Sequence, residues 1–296
     1  MSIAYDYGVD DVWIANVGDL KPMESNIAYF LDLAYDYEYL GVNGQEKLEE
    51  YKKNWARQQF SKKDGSGLSD EDCDEAASLV DRYLDLDTKR LVEHVIYNTS
   101  DTCSDMYSID NYREALNILE ECDDIMKHLK AAFYQLVYYP AMAVPNVLKI
   151  QIYAALNNKY VKLGLVVANE YAKKCQEAID LDNQLFDAYN NEMPGVVESG
   201  KKWSGMISCG QNYHIGLQQW NRDSGKLPDL MTVTPDASAS EMQVLVEDIT
   251  YSFNQTLTTG EAKLPSFNEV ANEIFEIKLG TKGGSYDFEA VADAEF

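Results

Sequence analysis

The sequence predicts a mainly α-helical protein with minor β structure, and three observations carry that reading. Apolar residues recur at helical spacing with few breaks from Ser25 to about Asn190. Ahead of them stands one short run of β-branched and aromatic residues, Val12 to Asn16. Beyond Pro228 the pattern changes to short alternating runs separated by glycine-rich turns, as antiparallel strands require.

Val12-Trp13-Ile14-Ala15-Asn16 is apolar on both faces, which suits a strand of a parallel sheet covered by helices. Polar and turn-forming residues come next at Asn16, Gly18, Asp19, Lys21, Pro22 and Glu24. Ser25 is placed to cap a helix whose face is Ile27, Phe30, Leu31, Ala34 and Tyr35. Strand, polar loop and helix make one βα unit, and ligands bind at such carboxyl-end loops in α/β architectures.

Gln45 to Phe60 places Leu48, Tyr51, Trp55 and Ala56 on one helical face, ending at Asp64-Gly65-Ser66-Gly67. Asp64 and Glu75 are spaced like the ends of a calcium loop. Leu68 stands where an oxygen ligand is needed and Ser69 where the central glycine is needed, so that reading fails. Ser69-Asp70-Glu71-Asp72 instead opens a helix through Ala76, Leu79, Val80 and Tyr83. A further helix carries Ile118, Leu119, Cys122 and Ile125. Pro140 and Pro145 are expected to kink or interrupt the apolar stretch around them, since each removes a backbone donor. Helices are expected from about Ala141 to Asn157 and from about Lys159 to Ile179, with short connections that suggest an antiparallel bundle. Met193-Pro194-Gly195 breaks the helical run. Strands are expected at 243–249, 274–279 and 286–291.

At 296 residues the chain can bury a substantial core, and 46% hydrophobic content with 21 tyrosines argues against disorder. A net charge of −25 repels phosphates and anionic lipid, so neither nucleic acid nor a membrane is an expected partner. No apolar run is long enough to span a bilayer, and the first residues are not a signal peptide. Cys73, Cys103, Cys122, Cys175 and Cys209 are widely spaced and form no metal-binding pattern. No cofactor is expected, and no nucleophilic triad, phosphate loop or dinucleotide fingerprint is visible.

Trp13-Ile14-Ala15-Asn16-Val17-Gly18-Asp19-Leu20-Lys21-Pro22-Met23-Glu24 resembles the signature of glycoside hydrolase family 115, the xylan α-1,2-glucuronidases. Tyr107 to Ala115, Ala132 to Asn157 and His214-Ile215-Gly216 with Trp220 resemble later parts of that family more loosely. The resemblance implies the C-terminal part of a (β/α)8 barrel at 1–104, a helical bundle at 105–192, a connecting segment at 193–235, and an incomplete β-sandwich at 236–296. It implies an inverting hydrolase that removes glucuronic or 4-O-methylglucuronic acid side chains from xylan. Such enzymes hold two carboxyl groups roughly 6.5–9.5 Å apart with a water between them. The resemblance places that pair ahead of Met1, so no catalytic residue is assigned here and the isolated chain is expected to be inactive. A polymeric substrate implies export of the intact enzyme.

The resemblance puts sugar recognition at Asn16, whose amide both donates and accepts; capping its own loop is the simpler alternative. Asp19 suits a sugar hydroxyl or an Asx turn. Lys21 suits the uronate carboxylate or an ion pair with Glu24. His214 and Trp220 suit a stacking platform at the barrel mouth or interface packing. The rival reading is a non-enzymatic helical interaction module, or a truncated product, whose N-terminal strand adds to a partner's sheet.

Overall fold

The computed structural model describes residues 1–17, 20, 23–41, 44–89, 112–127, 134–188, 228–239, 243–247, 254–258, 276–285 and 287. Eight α-helices and three strands are seen among them: α1 (Ser2–Asp6), α2 (Glu24–Tyr35), α3 (Tyr37–Leu40), α4 (Gly44–Phe60), α5 (Asp70–Lys89), α6 (Tyr112–Lys127), α7 (Tyr139–Lys162), α8 (Val167–Asp187), β1 (Gln243–Glu247), β2 (Asn254–Thr258) and β3 (Glu276–Gly280). The chain is therefore mainly helical. It divides into two compact units, one of Met1–Tyr97, Glu121–Val147 and Asp180–Gly225, the other of Asn98–Glu120, Leu148–Ile179 and Lys226–Phe296.

The strand expected at Val12 to Asn16 is not formed. Residues 12–17 are irregular, and the described residues lend them no ladder partner. Val12 is 68% exposed and Ile14 83% exposed, so the run that reads as a doubly covered stave is uncovered on one side. A barrel strand exists only by pairing with neighbouring strands, and local propensity cannot replace them. Nor does Ser25 cap α2: the helix begins one residue earlier, behind Met23, with no side-chain cap and with Glu24 in its first turn.

In the first unit, α4 and α5 pack against each other through Trp55 and Ala56 on one side and Cys73, Ala76, Ala77, Leu79, Val80, Tyr83 and Leu86 on the other, all buried. Those α5 positions recur at three and four residues, the spacing of a single helical face. The turn between the helices obeys its sequence. Asp64 Oδ1 accepts from Ser66 N at 2.9 Å and Gly65 takes φ +76°, a conformation that suits a residue without a Cβ. Ser69 then caps α5, its Oγ accepting from Asp72 N at 3.1 Å and donating to Asp72 Oδ2 at 2.9 Å. Ser69→Ala is expected to cost about 1 kcal/mol in a denaturant melt. Ion pairs of Arg57 with Asp74 (2.5 Å) and Lys52 with Asp81 tie α4 to α5, and Arg82 reaches Asp124 of α6 at 2.9 Å.

The prolines do not interrupt α7. Pro140 stands in its first turn, and Pro145 lies inside a continuous helix. A π-helical turn at Tyr134–Tyr138 precedes it. Burial on every side holds the helix: Ala141, Met142, Ala143, Val144, Val147, Leu148, Ile150, Ile152, Ala154, Ala155 and Leu156 are all buried. The break expected near Asn158 falls instead at 163–166, where Gly164 takes φ +68° and its N–H donates to Val161 O.

In the second unit α8 lies on α7, with Tyr160 and Tyr171 stacked at 5.5 Å and Cys175 Sγ donating to Ile150 O at 3.3 Å. The extended segment 231–233 is held by two asparagines. Asn157 Nδ2 donates to Ala168 O and to Met231 O, both at 2.8 Å, and its Oδ1 accepts from Met231 N at 3.1 Å. Asn169 repeats the exchange with Val233, at 2.9 and 2.8 Å. Both side-chain amides act as one rung of a β ladder. Beyond them the strands form an antiparallel sheet of order β2-β1-β3, with Leu245 facing Thr256 and Lys278. β1 and β3 fall where alternation predicts strands. β2, Asn-Gln-Thr-Leu-Thr, has too little alternation to be read in advance. Most of the strand expected at 286–291 lies outside the described residues. Gly283, at φ +132°, brings its backbone against Asp236, whose N–H donates to Lys282 O at 2.8 Å.

Candidate functional site

Trp13 organises the N-terminal segment. Its ring meets Tyr5 of α1, Phe30 of α2 and Tyr37 of α3 at centroid distances of 6.0–6.2 Å, and its indole N–H donates to Val9 O at 2.6 Å. Tyr5 and Tyr37 stack at 3.7 Å. These edge and stacked contacts join three helices to the irregular stretch after α1. Trp13 is thus a packing residue, as its place in the apolar run suggests.

Asn16 lies three residues beyond this anchor and is exposed. Asp19, Lys21, His214 and Trp220 lie outside the described residues. The structure therefore places one of the five residues singled out from sequence.

Two cavities border α4. The first, of ≈ 220 Å³, is lined by Tyr29, Leu48, Trp55, Ala77, Val80 and Leu84, with Ser25, Asn26, Tyr51 and Lys52 adding the polar atoms. The second, of ≈ 410 Å³, is lined by Glu49, Lys53, Asp74, Ser78 and Asp81. Leu48, Lys52 and Ala77 border both. Asn16 lines neither.

The titrating groups around the first cavity have distinct environments. Tyr51 Oη donates to Asp32 Oδ2 at 2.6 Å, and burial together with that carboxylate pushes the phenol far above its ordinary range. Tyr83 is pushed up in the same direction, mainly by burial, with the Ser25 hydroxyl opposing and the charge of Glu24 adding to it. Burial lowers the Lys52 ammonium, while Asp85 and Glu49 pull the other way. Such a cavity can hold a small apolar or aromatic group against Tyr29 and Tyr51, whose rings meet edge to face at 5.1 Å. Sequence periodicity places Leu48, Tyr51 and Trp55 on one face of α4 but does not bring Tyr29 of α2 to them. The extra signal is three aromatics, Tyr29, Tyr51 and Trp55, where a core face ordinarily carries aliphatic residues.

Among the described residues no cluster of His, Cys, Asp and Glu is arranged to hold a metal ion, and no helix is long and apolar enough to cross a membrane. Cys73, Cys122 and Cys175 are buried thiols. No curated protein matches the chain. Residues 1–94 match the family model for glycosyl hydrolase family 115, a span that holds the Trp13 cluster, Asn16 and both cavities. The similarity to glycosyl hydrolase family 115 thus covers residues 1–94 of the 296.

Proposed function

We propose that the chain is part of a glycoside hydrolase that removes glucuronic or 4-O-methylglucuronic acid from xylan with inversion. The observation that carries the reading is the family match over residues 1–94. In this reading residues 1–104 supply the last part of a barrel, 105–192 a helical bundle, 193–235 a segment packing back on them, and 236–296 the start of a sandwich domain. Asn16 hydrogen-bonds the uronic acid, Asp19 contacts its hydroxyls, Lys21 pairs with its carboxylate, and His214 and Trp220 border the sugar. A water between two carboxyl groups attacks the anomeric carbon, one carboxylate taking its proton while the other group protonates the xylosyl leaving oxygen. That pair belongs to strands beyond those this chain supplies.

The test is uronic acid release from glucuronoxylan. The chain alone is expected to release none, because in this reading it lacks the closed barrel that would enclose the sugar. Joined to the remaining barrel strands of a family 115 enzyme, it is expected to release glucuronate. In that joined protein Asn16→Ala should lower kcat/KM by about 5- to 100-fold, the worth of one or two sugar hydrogen bonds. Hydrolysis by the chain alone, or none by the joined protein, defeats the proposal.

A further inference from the structure

The helices of the first unit leave a space where their faces meet. Protein interiors rarely keep voids larger than a water molecule, yet ≈ 220 Å³ stays open between α2, α4 and α5. The walls are otherwise closely packed: Trp55 is 7% exposed, Ala77 3% and Val80 2%. Tyr29, Tyr51 and Leu84 are half-buried, so a small molecule can enter past them. About 150 Å³ is enough for a benzene ring in an apolar cavity, so this space takes one ring with a small substituent. Three of the lining residues, Tyr29, Tyr51 and Trp55, are aromatic, which favours an aromatic guest over an aliphatic one.

The polar groups around the cavity decide the charge of that guest and its point of attachment. Tyr51 Oη is committed to Asp32 at 2.6 Å, and Lys52 Nζ is committed to Asp81. An anion would approach Asp32, Asp81 and Glu49, whereas a cation would meet the Lys52 ammonium on the cavity wall. A neutral molecule avoids both conflicts. Asn26 supplies the remaining polar contact. Its Oδ1 accepts from Ser25 Oγ over a long 3.5 Å, and its Nδ2 donates to no described residue. One amide donor in an otherwise apolar and aromatic lining suits a ligand with a single oxygen on a ring.

We propose that the cavity between α2, α4 and α5 binds a neutral single-ring phenol, its ring against Tyr29, Tyr51 and Trp55 and its oxygen accepting from Asn26 Nδ2. Leu48, Val80 and Leu84 complete the apolar wall. The site is built by these three helices alone and Asn16 does not line it, so it stands apart from any activity on sugar.

The probe is p-cresol, titrated into the full chain and followed by calorimetry and ligand-observed NMR. Saturable binding at one site is expected, with a Kd of about 0.1–1 mM for a ligand of this size. Toluene, the same ring and methyl without the hydroxyl, should bind about fivefold or more weakly, and p-toluate about tenfold or more weakly. Asn26→Leu should bring p-cresol and toluene to equal affinity. Ala77→Leu, which extends a buried side chain of α5 into the space, should abolish binding of both while circular dichroism stays that of the parent. Should Ala77→Leu fail to fold, Asn26→Leu decides alone, since it alters a half-buried position. No saturable binding of p-cresol, or binding that persists in Ala77→Leu, overturns the proposal. So does a preference for p-cresol over toluene that survives Asn26→Leu, or binding of p-toluate as tight as that of p-cresol.

Discussion

Replacing Asn157 with alanine is expected to lower the free energy of unfolding by about 2–4 kcal/mol, since it strips partners from buried backbone groups. The side chain is fully buried and makes three hydrogen bonds, two as donor and one as acceptor, and two of them fix Met231 at a separation of 74 residues. Alanine would leave the buried Ala168 C=O and the part-buried Met231 N–H and C=O without those partners. Asn157→Asp should be at least as harmful, because it deletes the donor and places a charge beside two carbonyl oxygens. Asn169 holds Val233 in the same manner, two residues further along the strap. The two substitutions should therefore be non-additive, the second costing less once the strap is loose. Urea melts of the single and double variants measure this. A loss below about 0.5 kcal/mol for Asn157→Ala, a typical surface value, would show that the strap contributes little.

The second large effect is alkaline. Tyr83 is buried, and its phenol is held far above the unfolded value of about 10, chiefly by burial. A group whose folded pKa is raised contributes its full stability below the unfolded pKa and loses it as pH climbs toward the folded one. Above pH 10 the unfolded chain ionises this tyrosine while the folded chain does not. Stability should then fall by about 1.4 kcal/mol per pH unit from Tyr83 alone. Tyr51, shifted the same way by burial and by Asp32 but partly open to solvent, should steepen the fall by less. Denaturant melts between pH 8 and 12 test this, with Tyr83→Phe as the control. The variant should decline less steeply than the parent, keeping only the part that Tyr51 contributes. Parallel curves for the two would place the loss elsewhere.

Much of the helical architecture is legible in the residues because its signals are local. Ser69 with Asp72 marks a helix start, and Asp64-Gly65-Ser66 marks a turn by side-chain chemistry that acts within three residues. Cys73 to Leu86 on α5, and Ile118 to Ile125 on α6, bury the positions that helical spacing selects. The errors share one cause. Val12 to Asn16 reads as a strand by composition, yet a strand is a relation between segments and no described segment supplies the other half. Pro140 and Pro145 read as breakers, yet burial on all sides of α7 outweighs one missing hydrogen bond. Asn157 and Asn158 read as a helix end, yet both lie inside the helix, and Asn157 bonds backbone brought up from residues 168 and 231.

The candidate site divides along the same line. The motif from Trp13 to Glu24 is legible as a motif because recognition of a family depends on order along the chain, and the family match over residues 1–94 bears it out. The cavity beside Tyr29, Tyr51 and Trp55, and the uncovered face of Val12 and Ile14, depend on which elements come to lie together.

By itself, then, the sequence determined the helical class, the main turns, the acidic field and the family likeness of the first 94 residues. Each arises from chemistry within a few positions, from order along the chain, or from composition. Only the tertiary structure decided that Trp13 turns inward while Ile14 turns out, that the Met231–Val233 strap is held by asparagines, and that α7 survives its prolines. Those outcomes rest on partners distant in sequence, whose burial and hydrogen bonds override local preference.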